Sequence, residues 1–465
     1  MGPYQAVVTT GIYCRPGCAA RPLAANVRSF PLAAAAEVAG FRACLRCRPY
    51  RWEPPPSREV PEVVQRALSL ILDGALDVST EHQLGARIGL SARHLRRLFD
   101  THLGVSPDQL ARSRRAHFAR RLLDDSDLSV TEIAFASGFG SVRQMNRAFL
   151  DLFRGTPTSL RARRRVTDRL AADGGLPIRL PVEGPLAWDA MLDYLARRAI
   201  PGVEQVAAGI YRRTIRVEGD PGVLELFQHS RDTVLLRAHL PHWDGLIGIV
   251  GRARRLFNLD GDLAAATELL SGDPVLAPLV ALRPGLRPPG TWDAFELGVR
   301  AIVGQQVSVK GATTVVGRIV ERYGSPVPGL LPMGLSHLFP EPHTLARADL
   351  DGIGMPSSRA TAIRSFAAAV ADHSIHLERS SRLDELVAEM LQVPGLGPWT
   401  AQYVALRLGE PDAFPAADLG LRRALAGPAG MLPSAGQVAE AARAWMPFRA
   451  YAATHLWLQN PTAGP

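Results

Sequence analysis

This sequence predicts a multidomain, mainly α-helical chain, and three observations lead to that class. Its 465 residues are about three times what one hydrophobic core serves, at roughly 150 residues per domain. All four cysteines fall before residue 50, which sets one short segment apart from the rest. Elsewhere apolar residues mostly recur at three- and four-residue intervals, the period of an amphipathic helix, with strand-like alternation in one region only.

Composition supports packed cores: the chain is 47% hydrophobic and 21% charged, with a mean hydropathy of +0.02, too apolar to be mostly disordered. No run approaches the ~18 apolar residues of a membrane span. The N-terminus also lacks the charged, apolar and small-residue succession of a signal peptide. A membrane partner is therefore excluded, and a bacterial cytoplasmic location is expected. The net charge of +9 favours a polyanionic partner. Between Arg87 and Val166 there are 16 arginines and 7 acids, so this segment alone accounts for the whole excess. Lys310 is the only lysine, a bias that a GC-rich genome explains.

Cys14 and Cys18 are separated by three residues, Cys44 and Cys47 by two. In a reducing compartment two such pairs read as a tetrahedral four-cysteine zinc site, each pair spanning one edge of the metal. Two disulfides are disfavoured there, and an iron–sulfur cluster is not excluded by the spacing. A purely structural metal would satisfy the spacing equally well, so the flanking residues matter more. Thr9-Thr10-Gly11-Ile12-Tyr13-Cys14-Arg15-Pro16, then Cys18, Arg21-Pro22, Gly40-Phe41-Arg42, Arg46 and Cys47-Arg48-Pro49 resemble the methyl-acceptor domain of the Ada family of DNA alkylation-response regulators, over residues 4 to 50. The resemblance implies that Cys14 takes a methyl group from a methylphosphotriester in DNA, within a Zn²⁺ site made by Cys14, Cys18, Cys44 and Cys47. Thirteen residues precede Cys14, fewer than that family carries, which puts an edge of the small domain in question.

The run Glu53-Pro54-Pro55-Pro56-Ser57 reads as a stiff spacer. Beyond it Val63, Val64, Ala67, Leu68, Ile71 and Leu72 keep helical spacing, and two similar units follow. In the first, Leu84 to Ser91 is a helix, a Gly-containing turn and a Ser cap ahead of Arg93, His94, Leu95, Arg96, Arg97, Leu98 and Phe99. In the second, Val130, Ile133, Ala134, Ser137-Gly138-Phe139 and Ser141 introduce Arg143 to Phe149. Each reads as a helix-turn-helix, whose second helix fits a major groove. Helical hairpins with a Gly turn also occur as mere packing units; the duplication and the local charge favour DNA. With the closing Phe153-Arg154-Gly155-Thr156-Pro157, the segment resembles the AraC-type DNA-binding domain. Candidate base contacts are Arg93, His94, Arg97, Arg143, Gln144 and Asn146, with the Arg161 to Arg165 cluster on phosphate.

Ala171 to Gly175 and Pro177 read as a second linker, after which Tyr211 to Val217 and Thr233 to Ala238 alternate as strands. From Trp292 the chain turns helical, with Phe295, Val299, Ile302 and Val303 on one stripe. Leu391-Gln392-Val393-Pro394-Gly395-Leu396-Gly397-Pro398-Trp399 reads as a helix-hairpin-helix. Gly395 and Gly397 allow backbone amides to approach a DNA phosphate, and the hairpin carbonyls are expected to hold a monovalent cation. Phe295 to Ser308 and Ala413 to Arg423 then resemble the 3-methyladenine DNA glycosylase II (AlkA) branch of the helix-hairpin-helix glycosylases, over about residues 176 to 462. That resemblance implies that Asp418 is the catalytic carboxylate, that Trp399, Tyr403 and Trp457 line the pocket of an extruded base, and that Gln305 and Gln306 contact substrate. Gln306 stands where the best-known relative carries an apolar wedge, and Ala417 replaces a second acid. Asp418 also suits a helix cap at Leu419.

The resulting expectation is four domains: a zinc methyl-acceptor domain (1–52), a tandem helix-turn-helix domain (58–166), an α+β subdomain (176–285) and an all-helical helix-hairpin-helix glycosylase domain (286–462). The expected function is excision of alkylated bases such as 3-methyladenine, fused to a methyl acceptor and a transcriptional regulator. The alternative is an alkylation-responsive regulator whose C-terminal half binds DNA without catalysis. Alkylated and promoter duplex DNA and RNA polymerase are the expected partners of a monomeric, nucleoid-associated chain. Lys310 does not adjoin the hairpin, so no strand-cleaving Schiff-base activity is expected. With no cysteine beyond Cys47, transfer from O6-alkylguanine is not expected either.

Overall fold

The computed structural model describes residues 4–20, 22–52, 60–164, 175–377, 383–426 and 431–459. The Pro-rich spacer at 53–57, residues 171–174 of the second linker, Arg21 and Arg165 lie outside the described residues. Two compact units are present, Met1–Pro181 with His242–Ala253, and Val182–Pro241 with Arg254–Pro465.

In the first unit β1 (Tyr4–Val7), β2 (Ile12–Cys14), β3 (Val27–Phe30) and β4 (Arg42–Ala43) form a sheet in the order β3-β1-β2-β4. β1 is antiparallel to both neighbours, Gln5 facing Cys14 on one side and Ser29 on the other. β1 thus lies inside the sheet, between β3 and β2. β2 and β4 run parallel, which brings Cys14 beside Cys44, whose amide donates to Tyr13 O at 3.0 Å.

Helix α1 (Ala33–Val38) belongs to this sheet's layer; α2 (Glu62–Leu72) and α3 (Ala75–Val78) lead to the first helix-turn-helix, α4 (Glu81–Arg87) and α5 (Ala92–Leu103). α6 (Pro107–Asp125) precedes the second, α7 (Val130–Ala136) and α8 (Val142–Phe153), followed by α9 (Pro157–Arg161) and β5 (Leu176–Pro181). Local chemistry explains both units. Ser91 and Ser141 cap α5 and α8 by accepting from the amides of His94 and Gln144. Gly89 (φ +75°) and Gly138 (φ +77°) make the turns in left-handed backbone. Leu68, Ile71, Leu84, Leu95 and Phe99 pack the first core, Met145 and Phe149 the second.

α6 is buried along most of its length and receives polar anchors from both ends of the cysteine segment. Glu37 of α1 accepts from Tyr13 Oη (2.7 Å) and Ser113 Oγ (2.6 Å), and His117 Nε2 lies 2.6 Å from it. Burial alone would raise the Glu37 carboxyl, but the His117 charge and these hydrogen bonds outweigh it and hold the group below the usual carboxylate range. Tyr50 Oη donates to Asp124 (2.9 Å) and Arg51 to Asp125 (2.6 Å). Residues next to Cys14 and just after Cys47 are thereby fixed to one helix.

The second unit opens with α10 (Trp188–Ala196) and an antiparallel meander of β6 (Glu204–Ala207), β7 (Ile210–Val217), β8 (Asp220–Ser230) and β9 (Thr233–His239), in register Arg213↔Leu224↔Ala238. β7 and β9 are the strands the alternation predicts. After α11 (Leu246–Leu256), which carries the boundary between the units, come α12 (Leu263–Leu270), α13 (Ala277–Leu282), α14 (Ala294–Val303) and α15 (Val309–Tyr323). A short hairpin, β10 (Ser325–Pro326) with β11 (His337–Leu338), precedes α16 (Pro342–Ala346), α17 (Ser357–Ala371), α18 (Leu383–Leu391), α19 (Pro398–Arg407), α20 (Leu419–Ala424), α21 (Ala435–Ala441) and α22 (Arg449–Gln459). α14 packs on α17 and α19; Phe295 stacks on Phe366 at 5.7 Å. A Cβ on Gly298 would fall 2.1 Å from the Phe366 ring, so only glycine allows this approach. The observed architecture is the mainly helical, multidomain class expected from the sequence.

Candidate functional site

Asp418 begins α20, where its Oδ1 accepts from the Leu421 amide at 3.0 Å. The same oxygen accepts from Trp457 Nε1 (2.9 Å), and Oδ2 accepts from Trp399 Nε1 (3.1 Å). The carboxylate is 3% exposed and spans two indoles, one on α19 and one on α22. One turn along α19 from Trp399, Tyr403 lies parallel to it, with centroids 5.5 Å apart and planes 6° apart, while Trp457 meets Tyr403 edge-on at 6.1 Å. A cleft opens beside Trp399 and Tyr403, walled by Ile200, Ala301, Val309 and Val316, with Arg198 and Arg300 on its lining. An acid, two indoles and a phenol named from three separate sequence segments thus converge. Such a group offers π faces to a planar cation and a fixed negative charge beside it.

Gln305 and Gln306 part company. Gln305 Nε2 donates to Gly395 O (3.1 Å) and Thr400 Oγ1 (3.0 Å), which ties the end of α14 to the hairpin. Gln306 is exposed in left-handed backbone (φ +59°), next to the exposed Val307. Ser308 then caps α15 through the Gly311 amide. In the hairpin Val393 and Leu396 are buried and Gly395 turns at φ +90°, with room for no side chain: its Cβ would lie 2.6 Å from that of Ala362. Gly397 is open and immediately precedes α19, whose first amides have no intrahelical acceptor. Ala417 is exposed, whereas its neighbour Asp418 is buried.

In the first unit the Sγ atoms of Cys14, Cys18, Cys44 and Cys47 all lie within 4.8 Å of one another, and none of the four is in a disulfide. A Zn–S bond of about 2.3 Å gives tetrahedral edges of about 3.8 Å, so the donor set fits zinc. Cys14 and Cys44 are buried, Cys18 and Cys47 half-buried. The hydrogen bond between Cys14 and Cys47 pushes the Cys14 thiol up and brings Cys47 down to about 5, as expected of sulfurs crowded to share protons.

On α5 and α8 the structure leaves Arg93, His94, Arg97, Arg143 and Gln144 exposed and Asn146 half-buried. Gln144 Oε1 accepts from the Gly140 amide at 3.1 Å, so its amino group is the end left outward. Arg147, one turn beyond Arg143 and not singled out in the sequence, is exposed on the same helix. Arg96 is instead ion-paired with Glu81. Of the arginine cluster expected on phosphate, Arg161 donates to Leu128 O (2.5 Å) and Arg164 to Ser126 O (3.1 Å), binding the α6–α7 connection; Arg163 remains exposed.

Family models match four consecutive segments: the metal binding domain of Ada (4–50), a helix-turn-helix domain (84–163), the AlkA N-terminal domain (177–293) and the HhH-GPD superfamily base excision DNA repair protein (299–447). The chain is 42% identical over 463 residues, covering 98% of itself and 93% of the relative, to the probable bifunctional transcriptional activator/DNA repair enzyme AlkA of Mycobacterium tuberculosis. It is 34% identical over 278 residues, 59% of this chain and 94% of the relative, to DNA-3-methyladenine glycosylase 2 of Escherichia coli. Among solved structures, the 3-methyladenine DNA glycosylase from Archaeoglobus fulgidus superposes with a TM-score of 0.54 at 24% identity, over 61% of this chain and 98% of that one, a likeness of fold.

Proposed function

Because the chain belongs to the family of AlkA-type bifunctional transcriptional activators and DNA repair enzymes, we propose that it excises alkylated bases, 3-methyladenine among them, by hydrolysing the N-glycosidic bond. The observation that carries this reading is Asp418 held between the indoles of Trp399 and Trp457, with Tyr403 stacked beside them. Alkylation at a ring nitrogen makes the purine cationic and its bond to the sugar weak. The aromatic faces of Trp399, Tyr403 and Trp457 favour a flipped cationic base. As the bond breaks, the electron pair leaves with the base and the sugar becomes oxocarbenium-like; the Asp418 carboxylate stabilises that charge. Water supplies oxygen to C1′, and its proton passes to the solvent or the departing base. Gly395 and Gly397 bring the hairpin backbone to a DNA phosphate, where a monovalent cation on the hairpin carbonyls belongs to the same reading.

The first unit is read as sensor and regulator. Zinc, when bound, keeps the four thiols deprotonated at neutral pH. Cys14 Sγ then takes the methyl group from a methylphosphotriester; the C–O bond breaks, a phosphodiester anion leaves, and the thiolate becomes a thioether. One negative charge disappears from the cluster, which reduces its repulsion from DNA. Arg93, His94, Arg97, Arg143, Gln144 and Asn146 read a promoter, where RNA polymerase is the further partner of a monomeric chain on the nucleoid. The domain limits given above are those in which we assign these activities.

Release of 3-methyladenine from alkylated duplex by the whole chain, slowed about 10²–10³-fold in Asp418→Asn, tests the enzymatic reading. DNA left intact after prolonged incubation would favour a regulator whose C-terminal half only binds. A mass increase of one methyl group at Cys14 after exposure to methylphosphotriester DNA tests the sensor; no added methyl removes it.

A further inference from the structure

Two sets of buried contacts join the cysteine segment to α6, one on each side of the four-thiol cluster. Tyr13, next to Cys14 on β2, is buried and donates to Glu37 of α1, and Ser113 and His117 of α6 hold the same carboxylate from their side. Three residues beyond Cys47, Tyr50 donates to Asp124 at 2.9 Å, and Arg51 pairs with Asp125 at 2.6 Å. Arg120 of α6 closes on Asp124 from within the helix.

The apolar packing is shared as well. Ala34 and Ala35 of α1 belong to one core with Leu95, Phe99 and Leu103 of α5, the second helix of the first helix-turn-helix. β4, which leads into Cys44, packs against α8, its counterpart in the second. Phe153, which ends α8, meets Tyr50 edge-on at 5.9 Å and the His117 ring at 6.1 Å, so an aromatic seam runs from the cysteine segment through α6 to α8. Separating the buried ion pairs would strand charge away from water, and a close-packed core does not slide by degrees. Such a link differs from a tether. Seven residues lie between Trp52 and Val60. As the only connection they would let Cys14 range over about 25 Å, or about seven successive phosphates of one DNA strand. The buried contacts close that range.

Resting on the sensor and regulator reading above, we infer that the cysteine segment and both helix-turn-helix units dock on DNA as one body, so that Cys14 takes its methyl group from one phosphate at a fixed offset from the bases read by α5 and α8. Glu37, His117, Tyr50 and Asp124 set that offset; being buried, they are positioning residues. In the transfer the Cys14 thiolate forms the C–S bond as the methyl C–O bond breaks, and the electron pair stays on the phosphodiester anion that leaves. On DNA without the preferred sequence the same body docks through phosphates alone, and every phosphate is served alike.

The test begins with a preferred duplex, selected from a random-sequence pool by the zinc-loaded whole chain. Copies of it are made with a single methylphosphotriester, each at a different phosphate, and the single-turnover rate of Cys14 methylation is read by mass spectrometry. One phosphate, or two adjacent ones, should react about tenfold or more faster than those farther along the strand, and the same lesions in a shuffled sequence should react alike. On the preferred duplex without any lesion, protection from hydroxyl-radical cleavage should include that phosphate, a readout that needs no methyl transfer. Glu37→Gln combined with Tyr50→Phe loosens both sets of contacts: the peak should broaden and the protection fade, with the rate on shuffled duplex little changed. A merely structural role would instead lower the rate equally on both duplexes, and that result would overturn the inference. So would a parent profile that is flat or as wide as the tether allows, or a double variant as sharp as the parent. Should the double variant fail to fold, the parent profile and its protection pattern decide alone. If no duplex methylates Cys14, the sensor reading itself fails; if the pool yields no preferred sequence, the regulator reading does.

Discussion

A carboxylate can accept about four hydrogen bonds, and Asp418 has three filled, from Leu421 N, Trp457 Nε1 and Trp399 Nε1. One acceptor site on Oδ2 remains for water or sugar. Asp418→Asn keeps the cap but turns an amino group toward one indole N–H, so it should cost about 1–3 kcal/mol of stability in denaturant unfolding. It should also lower kcat about 10²–10³-fold on 3-methyladenine duplex, by removing the charge. Trp457→Phe keeps a ring and removes one donor; a smaller fall in kcat with KM little changed, measured on the same duplex, would show that the indole's task is aiming the acid. These aromatic and acidic residues were legible because each sits in a recognisable motif. The burial of Arg407 was not, since one arginine among 53 basic residues carries no signal, and its acceptors Pro289 O and Gly290 O lie more than a hundred residues away.

At the scale of elements, both helix-turn-helix units were readable because their turns need Gly and their caps need Ser, and those residues are local. β8 was not, because its Asp220-Pro221-Gly222 start and its run of five consecutive buried residues break the alternation that reveals a strand. Nor did the sequence reveal what α6 does: buried polar residues such as Ser113, His117 and Asp124 blur its pattern, and their partners lie on the cysteine segment. Glu37→Gln should destabilise the first unit by about 3 kcal/mol, since it leaves part of a buried charged cluster unpaired. Because the Glu37 pKa is lowered on folding, its contribution is complete above the ordinary carboxylate range and is lost as pH falls through the lowered value. Amide exchange in α1 and α6 should accordingly rise on acidification below the ordinary carboxylate range, and less so in Glu37→Gln. In the second unit Gly298→Ala should cost about 1–3 kcal/mol by pushing α14 from Phe366, read as a lowered denaturation midpoint.

Across the whole molecule, the positive charge that the composition places between Arg87 and Val166 is divided in the structure between two duties. Arg114 and Arg115 clamp Asp77, and Arg120 pairs with Asp124, while Arg93, Arg97 and Arg143 on α5 and α8 stay exposed. Charge counting found the segment but could not separate these duties, because pairing depends on tertiary neighbours. Arg97→Ala should weaken binding to the preferred promoter by about 1–3 kcal/mol and to random duplex by less, measured by titration at fixed salt. A strong zinc chelator should abolish methyl uptake at Cys14 while base release continues, since Asp418 and its aromatic neighbours belong to a unit with its own core.

The double employment of Asp418, as acid and as the start of α20, bears on how such a chain evolves. Aspartate and asparagine codons differ by a single nucleotide, and asparagine still begins a helix well. Under the function proposed for Asp418, one mutational step would retire the catalytic carboxylate and leave a folded reader of DNA behind. Descendants that keep the scaffold and have lost the chemistry should carry that replacement more often than any other at this position.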